Sequence, residues 1–409
     1  MPEAGLLIVG GGQAGATAAI TLRQLGFTGG ITILEATGAP PYERPPLSKD
    51  YMQGQRGFES FLIRPAAFWA QQQITLLTNA RVAGLDAAAR TVILQDGRVL
   101  SFTTLLWTAG GTPRRLTCPG AALDGVFTLH DREDADALIA RLAFPRRVAV
   151  VGGGYIGLEM AAVLSKQGHH VTVLEAQERV LARVAGEALS RFMEAEHRAH
   201  GVDVRLGAQL AEITGAAGKV TGVCLANGER LVADLVVTGI GIVPQVAPLL
   251  AAGAMGGNGV DVDEFGATSL PGIYAAGDCA RHRNRYAGNA WIRLESVQNA
   301  TDQAIAAAHA IAGQPKPYTA LPWFWSNQYD LRLQSAGLSL GHDMALVRGD
   351  MASRSFSILY LRENRLLALD CVNNARDYVG GKALIAVGTP LDLARAADPA
   401  VALKSLAAA

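Results

Sequence analysis

Short, unbroken apolar runs recur along this chain, and two of them lead straight into clusters of glycine. Leu6-Leu7-Ile8-Val9 runs into Gly10-Gly11-Gly12-Gln13-Ala14-Gly15, and Val148-Ala149-Val150-Val151 runs into Gly152-Gly153-Gly154-Tyr155-Ile156-Gly157. A continuous apolar run of this length reads as a strand covered on both faces in a parallel sheet. A helical stretch follows each cluster. Then comes a second apolar run closed by an acid: Ile31-Thr32-Ile33-Leu34 before Glu35, and Val171-Thr172-Val173-Leu174 before Glu175. The pattern predicts two strand–turn–helix–strand units far apart in one chain.

The polar stretch Gly38-Ala39-Pro40-Pro41-Tyr42-Glu43-Arg44-Pro45-Pro46-Leu47-Ser48-Lys49 interrupts the first unit. Strands are expected at Ile74-Thr75-Leu76-Leu77, Thr91-Val92-Ile93-Leu94 and Val99-Leu100-Ser101-Phe102, the last two flanking the hairpin signal Asp96-Gly97. A further buried strand starts at Thr104 and ends on the small residues Thr108-Ala109-Gly110-Gly111. The second segment repeats the plan, with Asn227-Gly228 as its hairpin and Leu235-Val236-Val237-Thr238-Gly239-Ile240-Gly241 as its strand. The repeated order predicts a duplicated architecture. The strand beginning at Ile273 carries Asp278 at its carboxyl end, where open α/β sheets gather their ligands; capping of the next segment is the other reading. Beyond residue 321 come Pro322-Trp323-Phe324-Trp325, two alternating strands around Glu363-Asn364, and an alanine-rich end with helical spacing. That composition predicts a small α+β domain.

Composition narrows the function classes. At 409 residues the chain has room for two to four domains. Its 36 basic and 36 acidic residues cancel, so no net field recruits nucleic acid or an anionic membrane. The apolar runs fall far short of the roughly 20 residues of a membrane span. The first strand begins too soon for a secretory signal, so a cytoplasmic protein is expected. Cys118, Cys224, Cys279 and Cys371 are scattered, with no CxxC or CxxxxC pair, so neither a metal site nor a local redox disulfide is expected.

The glycines carry the chemistry. Each turn lets backbone approach a pyrophosphate at a helix N-terminus, and each acid lies about 20 residues past the last glycine, where it meets a ribose hydroxyl. Two dinucleotides on one chain imply redox chemistry between them. If the second site holds a nicotinamide dinucleotide, Glu175 favours NADH, because a carboxylate repels a 2′-phosphate. Arg179 and Arg183 follow closely and leave NADPH open.

Several longer pieces carry a resemblance. They are Tyr42-Glu43-Arg44-Pro45-Pro46-Leu47-Ser48-Lys49, Thr108-Ala109-Gly110-Gly111-Thr112-Pro113-Arg114, Tyr155-Ile156-Gly157-Leu158-Glu159, Tyr274-Ala275-Ala276-Gly277-Asp278, Glu295-Ser296-Val297-Gln298-Asn299-Ala300 and Pro322-Trp323-Phe324-Trp325-Ser326. With them the chain resembles the NADH-dependent ferredoxin reductases of bacterial Rieske-type ring-hydroxylating dioxygenases, and is similar also to putidaredoxin and rubredoxin reductases. The resemblance implies an α/β fold of two Rossmann-like, glutathione-reductase-type domains plus the small α+β domain. FAD is expected on 1–112 and 245–320, NADH on 113–244, and ferredoxin docking on 321–409.

Carried onto this sequence, the FAD residues are Gly10, Gly12, Ala14, Gly15, Glu35, Arg44, Lys49, Val82, Ala109, Gly110, Arg132, Asp278, Val297 and Trp325. The NADH residues are Gly152, Gly154, Ile156, Gly157, Glu159, Glu175, Arg183 and Gly241. Lys49 is expected to tune the flavin and Glu159 to orient the nicotinamide or pair with Lys49. Trp325 is expected on the electron exit, ahead of Trp323 because Ser326-Asn327-Gln328 beside it is placed to bond the flavin. The partner implied is a [2Fe–2S] ferredoxin of Rieske or plant/putidaredoxin type, and behind it a terminal oxygenase. Rubredoxin- or P450-type electron delivery, or an NADH-sensing flavoprotein that signals by conformation, are the alternatives. A disulfide reductase or an NADH oxidase needs cysteine in the stretch 40–49, which has none.

Overall fold

The structure, a computed structural model, describes residues 5–408. The chain forms two compact units. One holds the chain up to Glu43, Phe58–Thr112 and Val243–Trp323; the other holds Arg44–Gly57, Pro113–Ile242 and the chain from Phe324 on.

The first unit is built on a five-stranded parallel sheet in the order Ile273–Ala275, Thr104–Trp107, Leu6–Val9, Ile31–Leu34, Ile74–Leu77. The glycine strand Leu6–Val9 is central and every one of its residues is buried, as its unbroken apolar run requires. The helix Gln13–Gln24 covers one face together with Val297–Ile311, and alanines line both (Ala16, Ala18 and Ala19 against Ala300, Ala304, Ala307 and Ala308). Small side chains permit that close approach. On the other face, Trp107, Val92, Phe102 and Val260 form a second core with strands of the two smaller sheets. The Asp96-Gly97 hairpin is present, with Gly97 at φ +88°, and Thr91–Leu94 also pairs with a strand the apolar pattern missed, Val82–Asp86. That strand has no buried residue, which is why no apolar alternation marks it.

The second unit repeats the spatial order: Asp203–Arg205, His170–Leu174, Arg147–Val151, Leu235–Thr238, Val126–Thr128, again all parallel. The Asn227-Gly228 hairpin joins Lys219–Leu225 to Arg230–Val232. The C-terminal residues form a five-stranded sheet in the order Trp323–Gln328, Leu331–Gly337, Arg365–Val372, Phe356–Arg362, Met344–Arg348. Glu363 and Asn364 both take positive φ in the turn of its central hairpin. The helix Ala375–Val387 packs on this sheet, capped by Asn374. Arg348, 1% exposed, is paired with Asp377 and donates to the carbonyls of Ala396 and Val401, so a buried guanidinium fastens the chain end.

Candidate functional site: two dinucleotide turns and a buried ion pair

Each glycine of the two turns has a separate structural duty. Gly10 and Gly152 both sit at φ +103°, a region closed to ordinary residues. A Cβ on Gly15 would lie 2.0 Å from the Gly10 carbonyl oxygen, and one on Gly157 would lie 2.0 Å from that of Gly152, so only glycine lets helix and strand touch. Gly12 is different: a Cβ there meets nothing within 4 Å, and one on Gly154 meets only the Gly239 carbonyl at 3.9 Å. Packing does not require glycine at these two positions. Open space beside the backbone does, and it is the space a pyrophosphate needs.

The helix starts agree. Asp131, Ser296 and Asn374 cap their helices with side-chain oxygens, but Gly12 and Gly154 cap Gln13–Gln24 and Tyr155–Lys166 with none, and neither first turn holds an acid. The first amide hydrogens and the positive dipole end are left for an anion. On these observations the residues fit two dinucleotides.

The two acids hold the turns in shape. Glu35 accepts from the amide of Gly11 (2.8 Å) and from the amide and hydroxyl of Thr37 (2.9 Å each). Glu175 accepts from the amides of Gly153 (2.7 Å) and Gln177 (2.9 Å). Of the two nearby arginines, Arg179 donates to the carbonyls of Ala185 (2.8 Å) and Ala182 (3.0 Å), whereas Arg183 is exposed with its Nη2 close to Gly241.

In the first unit lie Gly10, Gly12, Ala14, Gly15, Glu35, Val82, Ala109, Gly110, Asp278 and Val297. Ala14 packs against Gly277 at φ +83°, the residue before Asp278, and Val297 opens the helix Val297–Ile311. Arg293 donates to the Asp278 carbonyl (2.9 Å) and leaves its own Nε buried without a partner. Arg44, Lys49, Arg132 and Trp325 fall in the second unit, with all the residues expected at NADH. Arg44 bonds His130, and Arg132 is paired with Asp136.

The centre of the second unit is Glu159, 3% exposed on the fingerprint helix. Its Oε2 accepts from Lys49 and from Ser48 Oγ (2.7 Å), and its Oε1 accepts from Ser326 Oγ (2.7 Å). A buried ion pair is tolerated only when hydrogen bonds take up its remaining valences, and here they do. The strand Trp323–Gln328 explains Ser326. Phe324, Ser326 and Gln328 share one face, on which Phe324 packs at a tilt against Tyr155 (4.5 Å between ring centres), Ser326 reaches Glu159 and Gln328 reaches His197. Trp323 and Trp325 share the opposite face, as their spacing requires, and both are half-buried. The side chains of Ser326 and Gln328, expected to bond a flavin, are taken up by Glu159 and His197 instead.

Sequence reasoning missed His197, and with it the partners that Ser326 and Gln328 take up. The signal was present for His197: Ser190 and His197 are polar residues on the buried face of an amphipathic helix, Glu187–Ala199, beside Leu189 and Met193. The thiols take no part. Burial pushes Cys279 and Cys371 up to about 12, so neither is a thiolate at neutral pH, and no cysteine lies near Lys49 in sequence.

Comparison with known proteins agrees with this geometry. The pyridine nucleotide-disulphide oxidoreductase family matches residues 5–304, and the reductase C-terminal family matches 323–407. The chain is 54% identical to the ferredoxin reductase subunit of a 5,5′-dehydrodivanillate O-demethylase from a Sphingobium species, over all of both chains. It is 52% identical to a ferredoxin–NAD(P)+ reductase of a Sphingomonas species, over 93% of this chain and 92% of the relative. Among solved structures it matches the reductase of a covalent putidaredoxin reductase–putidaredoxin complex at TM-score 0.96 and 38% identity, covering 100% and 99% of the two chains. The chain belongs to the pyridine nucleotide-disulphide oxidoreductase family, as an oxidoreductase of its ferredoxin reductase branch that works with FAD and NAD(H).

Proposed function

We propose that this protein takes a hydride from NADH and delivers electrons singly to a [2Fe–2S] ferredoxin that serves an aromatic-ring oxygenase. The observation that carries the reading is the Lys49–Glu159 pair, its carboxylate buried on the second fingerprint helix, in a chain without a CxxC or CxxxxC pair. FAD, when bound, supplies the conversion between a two-electron donor and a one-electron acceptor. Gly10, Gly12, Ala14, Gly15, Glu35, Val82, Ala109, Gly110, Asp278 and Val297 of the first unit would hold it. Gly152, Gly154, Ile156, Gly157, Glu175, Arg183 and Gly241 hold NADH. Glu159 would orient a nicotinamide carboxamide, and the Lys49 ammonium would favour negative charge on a reduced flavin.

The domain division 1–112 with 245–320, 113–244 and 321–409 is part of this reading, as is a cytoplasmic location. No helix among the described residues is long and apolar enough to cross a membrane. Relatives named as reductases of an O-demethylase and of putidaredoxin support an iron–sulfur acceptor. The test is anaerobic mixing with NADH, then with a panel of [2Fe–2S] ferredoxins and a rubredoxin. The purified protein is expected to carry one FAD, to bleach with NADH and to reduce the ferredoxins over many turnovers. A Trp325→Ala variant is expected to slow cluster reduction while flavin bleaching stays near wild type. A protein that bleaches once and reduces no acceptor contradicts the proposal.

A further inference from the structure

A continuous buried chain of hydrogen bonds ends on Glu159. Tyr329 Oη lies 3.0 Å from His197 Nδ1, and His197 Nε2 lies 2.8 Å from Gln328 Oε1. Gln328 Nε2 lies 3.1 Å from Ser326 Oγ, and Ser326 Oγ lies 2.7 Å from Glu159 Oε1. His197, Gln328, Ser326 and Glu159 are 0%, 2%, 1% and 3% exposed, so water does not relieve a misdirected bond anywhere along them. Three separate elements supply the links: the helix Glu187–Ala199, the strand Trp323–Gln328 and the fingerprint helix Tyr155–Lys166.

We propose that this chain carries a single direction of donation, running through the His197 imidazole to the Glu159 carboxylate, and that His197, Gln328 and Ser326 are positioning residues which aim Glu159 for hydride transfer. The proposal rests on the reading of Glu159 as the residue that orients the nicotinamide.

The direction follows from counting donors. Burial pushes His197 down to about 4, so at neutral pH the ring carries one N–H. The Glu159 carboxylate only accepts, so Ser326 gives its hydrogen there, accepts in turn from the Gln328 NH₂, and Gln328 turns its Oε1 to His197. The ring proton then sits on Nε2, and Nδ1 accepts from Tyr329 Oη, which also lies 3.4 Å from Ser165 Oγ. Reversing any link aims a serine lone pair at a carboxylate oxygen. At the other end Oε2 accepts from Ser48 and Lys49. Oε2 takes two donors and Oε1 one, so by count Oε1 is the oxygen with a lone pair left for a nicotinamide carboxamide. The charged and titratable neighbours are few: Lys49 and Tyr155 beside Glu159, and Tyr329 and His200 beside His197, where His200 stacks on Tyr329 at 3.7 Å.

The test combines a spectroscopic and a kinetic reading on the FAD-loaded protein. Nitrogen-15 NMR of histidine-labelled protein at pH 7 is expected to show His197 neutral with its proton on Nε2; a proton on Nδ1, or a charged ring, overturns the proposal. In anaerobic stopped flow, Ser326→Ala is expected to slow bleaching by saturating NADH at least ten-fold. Ser326→Thr, which keeps the hydroxyl, is expected to recover it to within about three-fold. NAD+ titration of oxidised Ser326→Ala is expected to show weaker binding, a reading independent of turnover. Glu159→Gln separates the two failures. If it slows bleaching and Ser326→Ala does not, the chain is overturned while the role of Glu159 stands. If Glu159→Gln bleaches at the wild-type rate, the role of Glu159 fails and the positioning claim fails with it, whatever tautomer His197 shows.

Discussion

The two glycine units share one frame and part company two residues past the last glycine. In the first unit that position is Thr17, half-buried and bonded by Gln13, whose amide also reaches Thr301. In the second it is Glu159, buried in an ion pair. The outer faces of the two helices differ as well. The first packs its alanines against another alanine-rich helix. The second turns Tyr155, Glu159 and Ser165 toward Phe324, Ser326 and Tyr329 of the C-terminal sheet. Both units leave uncapped helix starts and open space at Gly12 and Gly154, which suits phosphate binding by amide hydrogens rather than side chains. What the second unit adds is one carboxylate and a scaffold to aim it. Even the sheets were completed differently: the fifth strand is Ile273–Ala275, late in the chain, in one, and Val126–Thr128, ahead of its glycine strand, in the other.

The largest effects are expected where the shared frame is tightest. Gly15→Ala and Gly157→Ala each push a methyl against a carbonyl 2.0 Å away, which places them at about 4 kcal/mol or more of destabilisation, in the extreme tail for single substitutions. Gly12→Ala and Gly154→Ala meet open space, so the protein stripped of dinucleotide is expected to melt like wild type. FAD binding in the one and NADH binding in the other is expected to weaken at least ten-fold, about 1.4 kcal/mol. Melting curves with paired flavin and NAD+ titrations read both. A cavity-tolerant Gly15→Ala would break the assignment of separate duties.

Next comes the position at which the units differ. Glu159→Ala strands the Lys49 ammonium, 16% exposed, and is expected to cost about 3 kcal/mol in urea unfolding. Thr17→Val, in the matching place, is expected to change stability by less than about 1 kcal/mol. Equal losses would mean that Glu159 is no more than a packing residue.

Each unit also buries a neutral histidine, and the pair gives the comparison a pH axis. Burial lowers His197 in the second unit and His282 in the first from 6.5 to about 4. Between those values the unfolded chain binds a proton that the folded chain refuses, so stability rises with pH across that window. It is complete above about pH 6.5 and is lost as pH falls toward 4, by about 3 kcal/mol for each histidine. His282 bonds Gln303, which accepts from the Gly277 amide at the Asp278 turn, so acid is expected to release FAD as it unfolds the first unit. His282→Gln and His197→Gln are each expected to flatten the acid limb of the urea midpoint by their own share.

Most of the frame was legible because buried parallel strands are apolar without interruption and the turns demand glycine. Leu6–Val9, Ile31–Leu34, Ile74–Leu77 and the Asp96-Gly97 and Asn227-Gly228 hairpins were read from those two facts, and the Glu363-Asn364 hairpin from the alternation of the strands around it. Val82–Asp86 was not, because a strand without a buried residue has no reason to alternate. The site was legible to the extent that it is local in sequence: glycines, Glu35, Glu175 and Lys49 declare themselves within short spans. Ser326, Gln328 and His197 act across 131 to 167 residues of separation, and a serine or glutamine on a strand carries no mark of the partner it will find. Arg348 was invisible for the same reason, since its acceptors are backbone carbonyls near the chain end.

The smallest expected effect compares the two ribose acids. Glu35→Ala and Glu175→Ala each free a glycine-loop amide, but under the proposed function only the second meets a cofactor that exists with and without a 2′-phosphate. Glu175→Ala removes the repulsion and is expected to raise kcat/KM for NADPH relative to NADH about ten-fold, worth about 1.4 kcal/mol. Arg179 is not the residue that gains the phosphate, because both of its terminal nitrogens are held by the carbonyls of Ala182 and Ala185. Arg183 is exposed beside Gly241 and has the freedom to turn. The double variant Glu175→Ala, Arg183→Ala is therefore expected to lose most of the gain. Adding Arg179→Ala to Glu175→Ala is expected to leave the coenzyme ratio unchanged while lowering the melting temperature through its lost carbonyl contacts. If Arg179 carries the gain instead, its loop rearranges when NADPH binds. A Glu35→Ala variant that leaves FAD affinity untouched would show that the matching acid serves only to brace the turn.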